Sequence, residues 1–497
     1  MIHDVEVKAV PLDDYAAVAP VSRSVAELRA QAAVLTPAFA GRTLWMVSST
    51  ARGGGVAEMM PSAIAMLREL GVATRWLVID ADEPEFFQLT KRLHNLIHGA
   101  EAAYPSVVDR ALYDTVSARL ASELLPLVAD GDVLVVHDPQ PLGVGARVRA
   151  ARRVTALWRC HIGLDDDLPP TRAAWDFLAP DLAAYDRAVF TAAEYVPRQL
   201  GGSASIIHPG LDPLTHKNRE LGLHKLVGIL VDAKLVPQSG PTMMPPFEHP
   251  ALRVQGDGTL RHALVPEDIG LLYRPIVLQV SRWDRLKGWR PLLDGFVRLK
   301  RELAHRGTGH VGRARCTLEQ ARLVLAGPDP GSIRDDPEAT RVFEDLSRAY
   351  GALEPERQAD VALLALPMAS VKENALIVNA LQRCATLVVQ NSLREGFGLT
   401  VTEAMWKRCA VLAAPACGVR QQIRHGVDGH LLSNAEDPGE IADALELLLT
   451  RPLVREQYGR AAQLRVQDEF LVFTEVRRWL EVLAEVARGT KAAAYVR

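Results

Sequence analysis

Short, uninterrupted apolar runs alternate along the chain with stretches whose apolar residues recur every three or four positions. Thr43-Leu44-Trp45-Met46-Val47 is the first run. Beyond it Val56, Met60, Ile64, Leu67 and Leu70 keep the spacing of one helix face, Gly71 ends that helix, and Thr74 to Ile79 makes the next run. Asp132 to Val136, Val154 to Trp158, Arg187 to Thr191 and Ser205 to Ile207 continue the series. A second series begins at Ile276 to Val280 and goes on through Arg322 to Ala326, Val361 to Leu366, Thr386 to Gln390 and Val411 to Ala413. Runs apolar at every position, separated by helical stretches, predict strands buried on both faces of parallel sheets. The fold class expected is α/β, with two Rossmann-like doubly wound domains and a cleft between them.

The pattern weakens in two places. Residues 1–40 read as an N-terminal arm with one helix, for which Ser24 and Glu27 offer a capping box. Pro237 to Pro250 holds five prolines and little periodicity, so 216–270 reads as a linker with an inserted loop. That leaves 41–215 as the first domain and 271–469 as the second, with a helix in 470–497 expected to pack back on the first.

With 497 residues the chain exceeds one ordinary core. Its 48% apolar and 24% charged residues suit a soluble globular protein, and no run approaches the roughly 20 apolar residues of a membrane span. The start, Met1 to Glu6, has no apolar segment of the signal-peptide kind, so a cytoplasmic location is expected. A net charge of −3 offers no electrostatic case for nucleic acid. The five cysteines are odd in number and widely spaced with no C-x-x-C, which points to neither a disulfide framework nor a zinc site.

The residues capable of chemistry stand just past the carboxyl ends of predicted strands, where open α/β sheets bind ligands. Arg52-Gly53-Gly54-Gly55 lies between a strand and a helix; its amides suit a phosphate, or the glycines simply allow a tight turn. Arg282 and Lys287 follow a strand and suit a diphosphate clamp, or form a solvated basic loop. In Ser392-Leu393-Arg394-Glu395-Gly396-Phe397-Gly398-Leu399-Thr400-Val401-Thr402-Glu403, a two-glycine turn opens a helix with an acid on each side. Amides and a helix start favour an anion and the acids favour hydroxyls, as on a nucleotide sugar. Thr400 and Glu403 also match a capping box, with Thr400 as the cap. His137 and His161 each end a strand, as ligand contacts or as caps of carbonyls.

The stretch from Glu395 to Glu403 resembles the E-x7-E motif of retaining nucleotide-sugar glycosyltransferases of the GT-B architecture. Within them, Gly53 to Glu58, Val136 to Pro141, Trp158 to Ile162, Leu211 to Asn218 and Gln279 to Asp284 are similar to segments of the trehalose glycosyltransferring synthases. The resemblance implies transfer of glucose from a nucleoside diphosphate glucose to glucose, forming trehalose, by front-face substitution in which the leaving phosphate takes the acceptor proton. It implies that Arg282 and Lys287 hold the donor diphosphate, that Glu395 contacts the donor glucose, and that His161 sits near the reacting carbon. Gly54, Gly55, Gly396, Phe397, Gly398, Leu399, Thr400 and Glu403 would bind the donor, Glu403 at the ribose. His137, Asp138 and Gln140, in the first domain, would bind the acceptor. No tightly bound cofactor and no metal is implied; the partners are small sugars and sugar nucleotides, without a membrane span, and a homodimer is compatible. The same fold with a lipid, glycan or metabolite acceptor, or a sugar-nucleotide sensor without turnover, stays open.

Overall fold

The structure, a computed structural model, describes residues 1–51, 54–100, 102–238, 240–242, 244–264, 268–305, 312–332 and 337–489. The chain divides into two units, Met1–Asp212 with Gln467–Arg497, and Pro213–Val466.

The first unit is built on seven described strands: β1 (Ile2–Asp4), β2 (Leu44–Ser48), β3 (Thr74–Ile79), β4 (Val133–His137), β5 (Thr155–Cys160), β6 (Arg187–Phe190) and β7 (Ala204–Ile206). They lie in the order β1-β3-β2-β4-β5-β6-β7. All neighbours are parallel except β1, which runs antiparallel along β3. The order of the parallel strands reverses at β2 and β4, a switch point where a crevice opens outside the carboxyl ends.

The expected N-terminal arm is instead part of this unit. β1 edges the sheet, and the helices Leu12–Ala16 and Ser22–Leu35 pack on each other, the second also against the C-terminal helix Val472–Ala487. Tyr15 meets Phe473 edge-on, and its hydroxyl donates to Asp212 at 3.0 Å. The helix begins at Ser22 after Val21, so Ser24 lies within it and does not cap it. A buried stripe of Val25, Leu28 and Ala32, and not a terminal capping pair, is what holds this segment in place.

The second unit has eight described strands: β8 (Leu252–Val254), β9 (Leu260–His262), β10 (Ile276–Val280), β11 (Arg322–Pro328), β12 (Val361–Leu366), β13 (Leu387–Gln390), β14 (Val411–Ala413) and β15 (His430–Leu431). Their order is β15-β14-β13-β10-β11-β12-β8-β9, parallel from β15 to β12, with β8 and β9 antiparallel beyond. Alternate residues of the central strands feed opposite layers. Val277, Leu323, Leu325 and Val361 enter one apolar cluster, and Ile276, Leu278, Val324 and Ala362 the other.

That second cluster corrects the linker expected over 216–270. Leu221, Ile229, Leu230, Leu235, Ala251, Ala263 and Ile269 pack into it, the helix Leu223–Asp232 lies over the sheet, and β8 extends the sheet beyond β12. The prolines hid a covering layer, because prolines disrupt periodicity without preventing burial. No described helix is long and apolar enough to cross a membrane.

Candidate active site

In the second unit the strand order reverses between β10 and β13, and the segments following these two strands carry the motif residues. Gln279, at the end of β10 and fully buried, ties them together: its amide donates to the Lys287 carbonyl at 2.8 Å and its carbonyl accepts from the Asn391 amide at 2.9 Å. Gly288 takes φ +60°, and a Cβ there would meet the Asn391 carbonyl at 2.0 Å. Only glycine lets the loops approach this closely. The result sets Lys287 against Glu395, Nζ to Oε2 at 2.6 Å, with side chains 11% and 15% exposed.

Around that pair runs a chain of polar contacts. Ser392 Oγ donates to Glu395 Oε2 at 3.1 Å, Gln390 Nε2 donates to Ser392 Oγ at 2.7 Å, and Thr400 Oγ1 donates to Gln390 Oε1 at 2.9 Å. The ion pair is thereby linked to the first turn of the helix Leu399–Trp406, whose leading amides have no carbonyl partner within the helix. Gly398 caps that helix in the left-handed region, φ +88°, so Thr400 lies inside it and the expected capping box does not form. Phe397 is buried, leaving its backbone as the part able to meet a ligand; Gly418 presses against it, where a Cβ would meet the Gly396 carbonyl at 2.5 Å.

Two expected donor residues lie apart from the pair. The Arg282 side chain is 69% exposed and faces Asp284 at 3.7 Å, so the structure does not show it clamping beside Lys287. Glu403 is 3% exposed, with Lys217 Nζ at 3.7 Å and Gln382 Nε2 donating at 3.4 Å. Lys407 is buried nearby, bonded to Asn218 Oδ1 at 3.2 Å; burial pulls its ammonium down to about 7, and Glu403 partly opposes this. Lys407 stands four residues after Glu403, a helix spacing that marks it, and Lys217 lies in the segment Leu211 to Asn218, but neither was given a role, and no motif or spacing marks Gln382. Tertiary packing brings Lys217 and Gln382 to Glu403.

In the first unit, β4 and β5 deliver His137 and His161. His137 Nδ1 and His161 Nε2 are 3.0 Å apart, with the rings stacked at 13°. Asp138, at φ +65°, accepts the His161 amide at 2.8 Å and fixes the turn. Beneath them Arg159 is fully buried and donates to the Ile207 carbonyl at 2.8 Å. Burial drives these groups toward neutrality. His137 falls to about 3, helped by Arg159, and His161 falls well below the usual imidazole range for the same reasons. Asp138 rises to about 6, and Arg159 falls to about 10 despite Glu475 and Asp138. The imidazole pair is therefore neutral at pH 7 and can share one proton between its facing nitrogens. His161 Nδ1 and Gln140 Oε1 are buried without a hydrogen-bond partner, two polar atoms suited to a hydroxylated ligand. Arg159 stands inside the segment Trp158 to Ile162 but was given no role, and Glu475 lies inside an ordinary helix with nothing local to mark it.

Arg52 and Gly53 lie outside the described residues, and Gly54 and Gly55 begin the helix Gly54–Glu69. Among the described residues no group of three histidine, cysteine or acidic side chains could hold a metal ion.

Residues 46–197 match the family model "Trehalose synthase, N-terminal domain", and residues 271–465 match "Glycosyl transferases group 1". The chain is 32% identical over 444 residues to the trehalose synthase of Pyrococcus horikoshii, covering 89% of this chain and 90% of that one. It is 30% identical over 472 residues to the trehalose synthase of Rubrobacter xylanophilus, covering 93% and 94%. Among solved structures, a UDP-forming α,α-trehalose-phosphate synthase from Burkholderia vietnamiensis superimposes with a TM-score of 0.62 at 17% identity, over 90% of this chain and all of that one. At that identity the likeness establishes the GT-B fold.

Proposed function

The chain belongs to the trehalose synthase family of glycosyltransferases, and on that footing we propose that it moves glucose from a nucleoside diphosphate glucose to free glucose, with retention, to form trehalose. The Lys287–Glu395 pair carries this reading: a cation and an acid held together at the switch point of the second sheet, beside a helix start. Lys287 is assigned to the donor diphosphate, with the leading amides at Leu399 and Thr400 and the backbone of Gly396, Phe397 and Gly398. Glu395 is assigned to the glucose hydroxyls. Gly54 and Gly55 are assigned to the phosphates, and Arg282 joins them through its exposed side chain. The ribose is assigned to Glu403, whose carboxylate keeps acceptor capacity beside Lys217 at 3.7 Å and Gln382 at 3.4 Å.

The bond from the anomeric carbon to the diphosphate oxygen breaks with its electron pair passing to the diphosphate. The acceptor oxygen bonds the same face, and its proton passes to the departing phosphate. Lys287 and the helix start stabilise the charge that grows there, the kind of preorganised electrostatics that lowers such barriers most. His161, assigned near the reacting carbon, and His137, Asp138 and Gln140, assigned to the acceptor, orient hydroxyls. The neutral imidazoles supply hydrogen bonds and no formal charge. No metal takes part in the proposed chemistry.

A turnover panel of nucleotide glucoses against glucose tests this, with product linkage read by NMR. An α,α-linked disaccharide is expected. Turnover only with another acceptor would replace the acceptor assignment, and donor binding without nucleotide release would leave a sensor.

A further inference from the structure

Two pockets among the described residues of the second unit are rich in arginine, and they differ in whether acids line them. The larger, about 1120 Å³, is lined by Arg285, Arg290, Arg298, Arg301 and Arg348 and by four acids. Four of its five arginines are ion-paired to carboxylates: Arg290 to Asp294, Arg298 to Glu302, Arg301 to Glu354 and Arg348 to Asp345. The smaller, about 600 Å³, is lined by Arg274, Arg313 and Arg455 together with Thr317, Thr386 and Thr450, and no carboxylate lines it. Among the described residues none of these three arginines is ion-paired to a carboxylate. Asp268, six residues before Arg274, is occupied by the Tyr273 hydroxyl at 2.7 Å and the Gly270 amide at 2.9 Å, and Glu456, next to Arg455, is paired with Arg408 and Arg460.

Backbone and packing hold two of the three guanidiniums, and Arg313 opens the helix Arg313–Gln320 with its side chain exposed. Arg455 Nη1 donates to the Leu449 carbonyl at 2.8 Å, at the carboxyl end of the helix Pro438–Thr450. Burial, then Arg313, lower its pKa, as expected for cations gathered without a counter-charge. Arg274 stacks over the Tyr273 ring at 6.0 Å, and its Nε is buried without a partner. Thr386 Oγ1 accepts the Ile276 amide at 3.2 Å, so its own proton is available to an acceptor.

We propose that this pocket is a binding site for a phosphate dianion, free or as a phosphorylated sugar. Three guanidiniums match the three terminal oxygens of such a group in number and in donor geometry. The volume lies within the range of small-molecule sites and exceeds what inorganic phosphate alone needs. The site is distinct from the one assigned to the donor. Pro275 and Thr386 precede β10 and β13, whereas Lys287 and Glu395 follow the same strands at the opposite sheet edge, about 17 Å away at roughly 3.3 Å per residue.

Isothermal titration and thermal melts of the full chain with inorganic phosphate and with glucose 6-phosphate, at fixed ionic strength, test the site. Saturable binding and a raised Tm are expected for the wild type and for Lys287→Met. Arg274→Gln with Arg313→Gln should weaken binding about tenfold or more. Arg313→Gln alone, on an exposed side chain, should give a smaller loss and guards against misfolding of the double variant. Tighter binding of glucose 6-phosphate assigns the sugar ester, and equal binding assigns free phosphate. Absence of saturable binding, or binding that survives both arginine variants, overturns the site, and loss with Lys287→Met would place the bound phosphate at the donor site instead. Neither failure touches the transferase reading, which is tested by disaccharide formation.

Discussion

Replacing Lys287 by Met separates what the ion pair does for the fold from what it does for turnover. The substitution keeps most of the side-chain volume and removes the charge, leaving a Glu395 carboxylate only 15% exposed. Stranding one member of a buried pair costs about 3–5 kcal/mol. Ser392 Oγ at 3.1 Å still solvates the carboxylate, which puts the cost near the lower end, about 3 kcal/mol. For a unit of this size that is a fall in Tm of roughly 6–12 °C. Turnover should fall about 100-fold or more, because a preorganised stabiliser of the departing diphosphate is gone. Adding Glu395→Gln removes the stranded charge, so the double variant should regain stability to within about 1 kcal/mol of the wild type. It should not regain turnover. Differential scanning calorimetry gives the first quantity and a coupled assay of nucleotide release the second. Turnover that recovers along with stability would make the pair structural, and a single variant with unchanged turnover would remove Lys287 from catalysis.

Gly288→Ala should cost several kcal/mol, about 3 or more, and lose donor binding, because φ +60° and a contact at 2.0 Å to the Asn391 carbonyl leave no room; denaturant unfolding checks it. Arg282→Ala should leave stability within about 0.5 kcal/mol, since the side chain is exposed, so any fall in kcat/KM measures contact with donor alone. His137 has a folded pKa of about 3 against 6.5 when unfolded, so its neutral form stabilises the fold above pH 6.5 and that contribution is lost as pH falls toward 3. Asp138, raised to about 6, and Glu475, raised to about 7, act in the opposite direction, so the test is a difference: from pH 7 to pH 5 the stability of His137→Gln should improve relative to wild type by about 2 kcal/mol. A pH-independent difference would refute the neutral burial of His137.

What the sequence made legible depended on whether a segment carried its own signal. Ile276-Val277-Leu278-Gln279-Val280 is apolar nearly throughout because both its faces are buried, and it was legible as a strand. β1 is three residues long, half-exposed and dependent on β3 for its hydrogen bonds, and nothing local marks it. Lys287 and Glu395 were legible as candidates, each beside a glycine at a strand's end, yet their pairing is fixed by Gln279 and Asn391 across more than 100 positions. Thr400 and Glu403 fit a capping box in spacing, but Gly398 starts the helix and Thr400 turns to Gln390 instead. Glu403 then depends on Lys217, far along the chain, which no periodicity could reveal.

The first unit takes its final piece from the last part of the chain: Gly210 donates to the buried Glu475 at 2.9 Å, and Leu211 bridges to Leu471. During synthesis, therefore, the nascent first unit waits through the whole translation of Pro213–Val466 before its closing helix leaves the ribosome. The uninterrupted second unit can finish first, so early termination within the helix Val472–Ala487 should cripple the part of the molecule that was begun earliest.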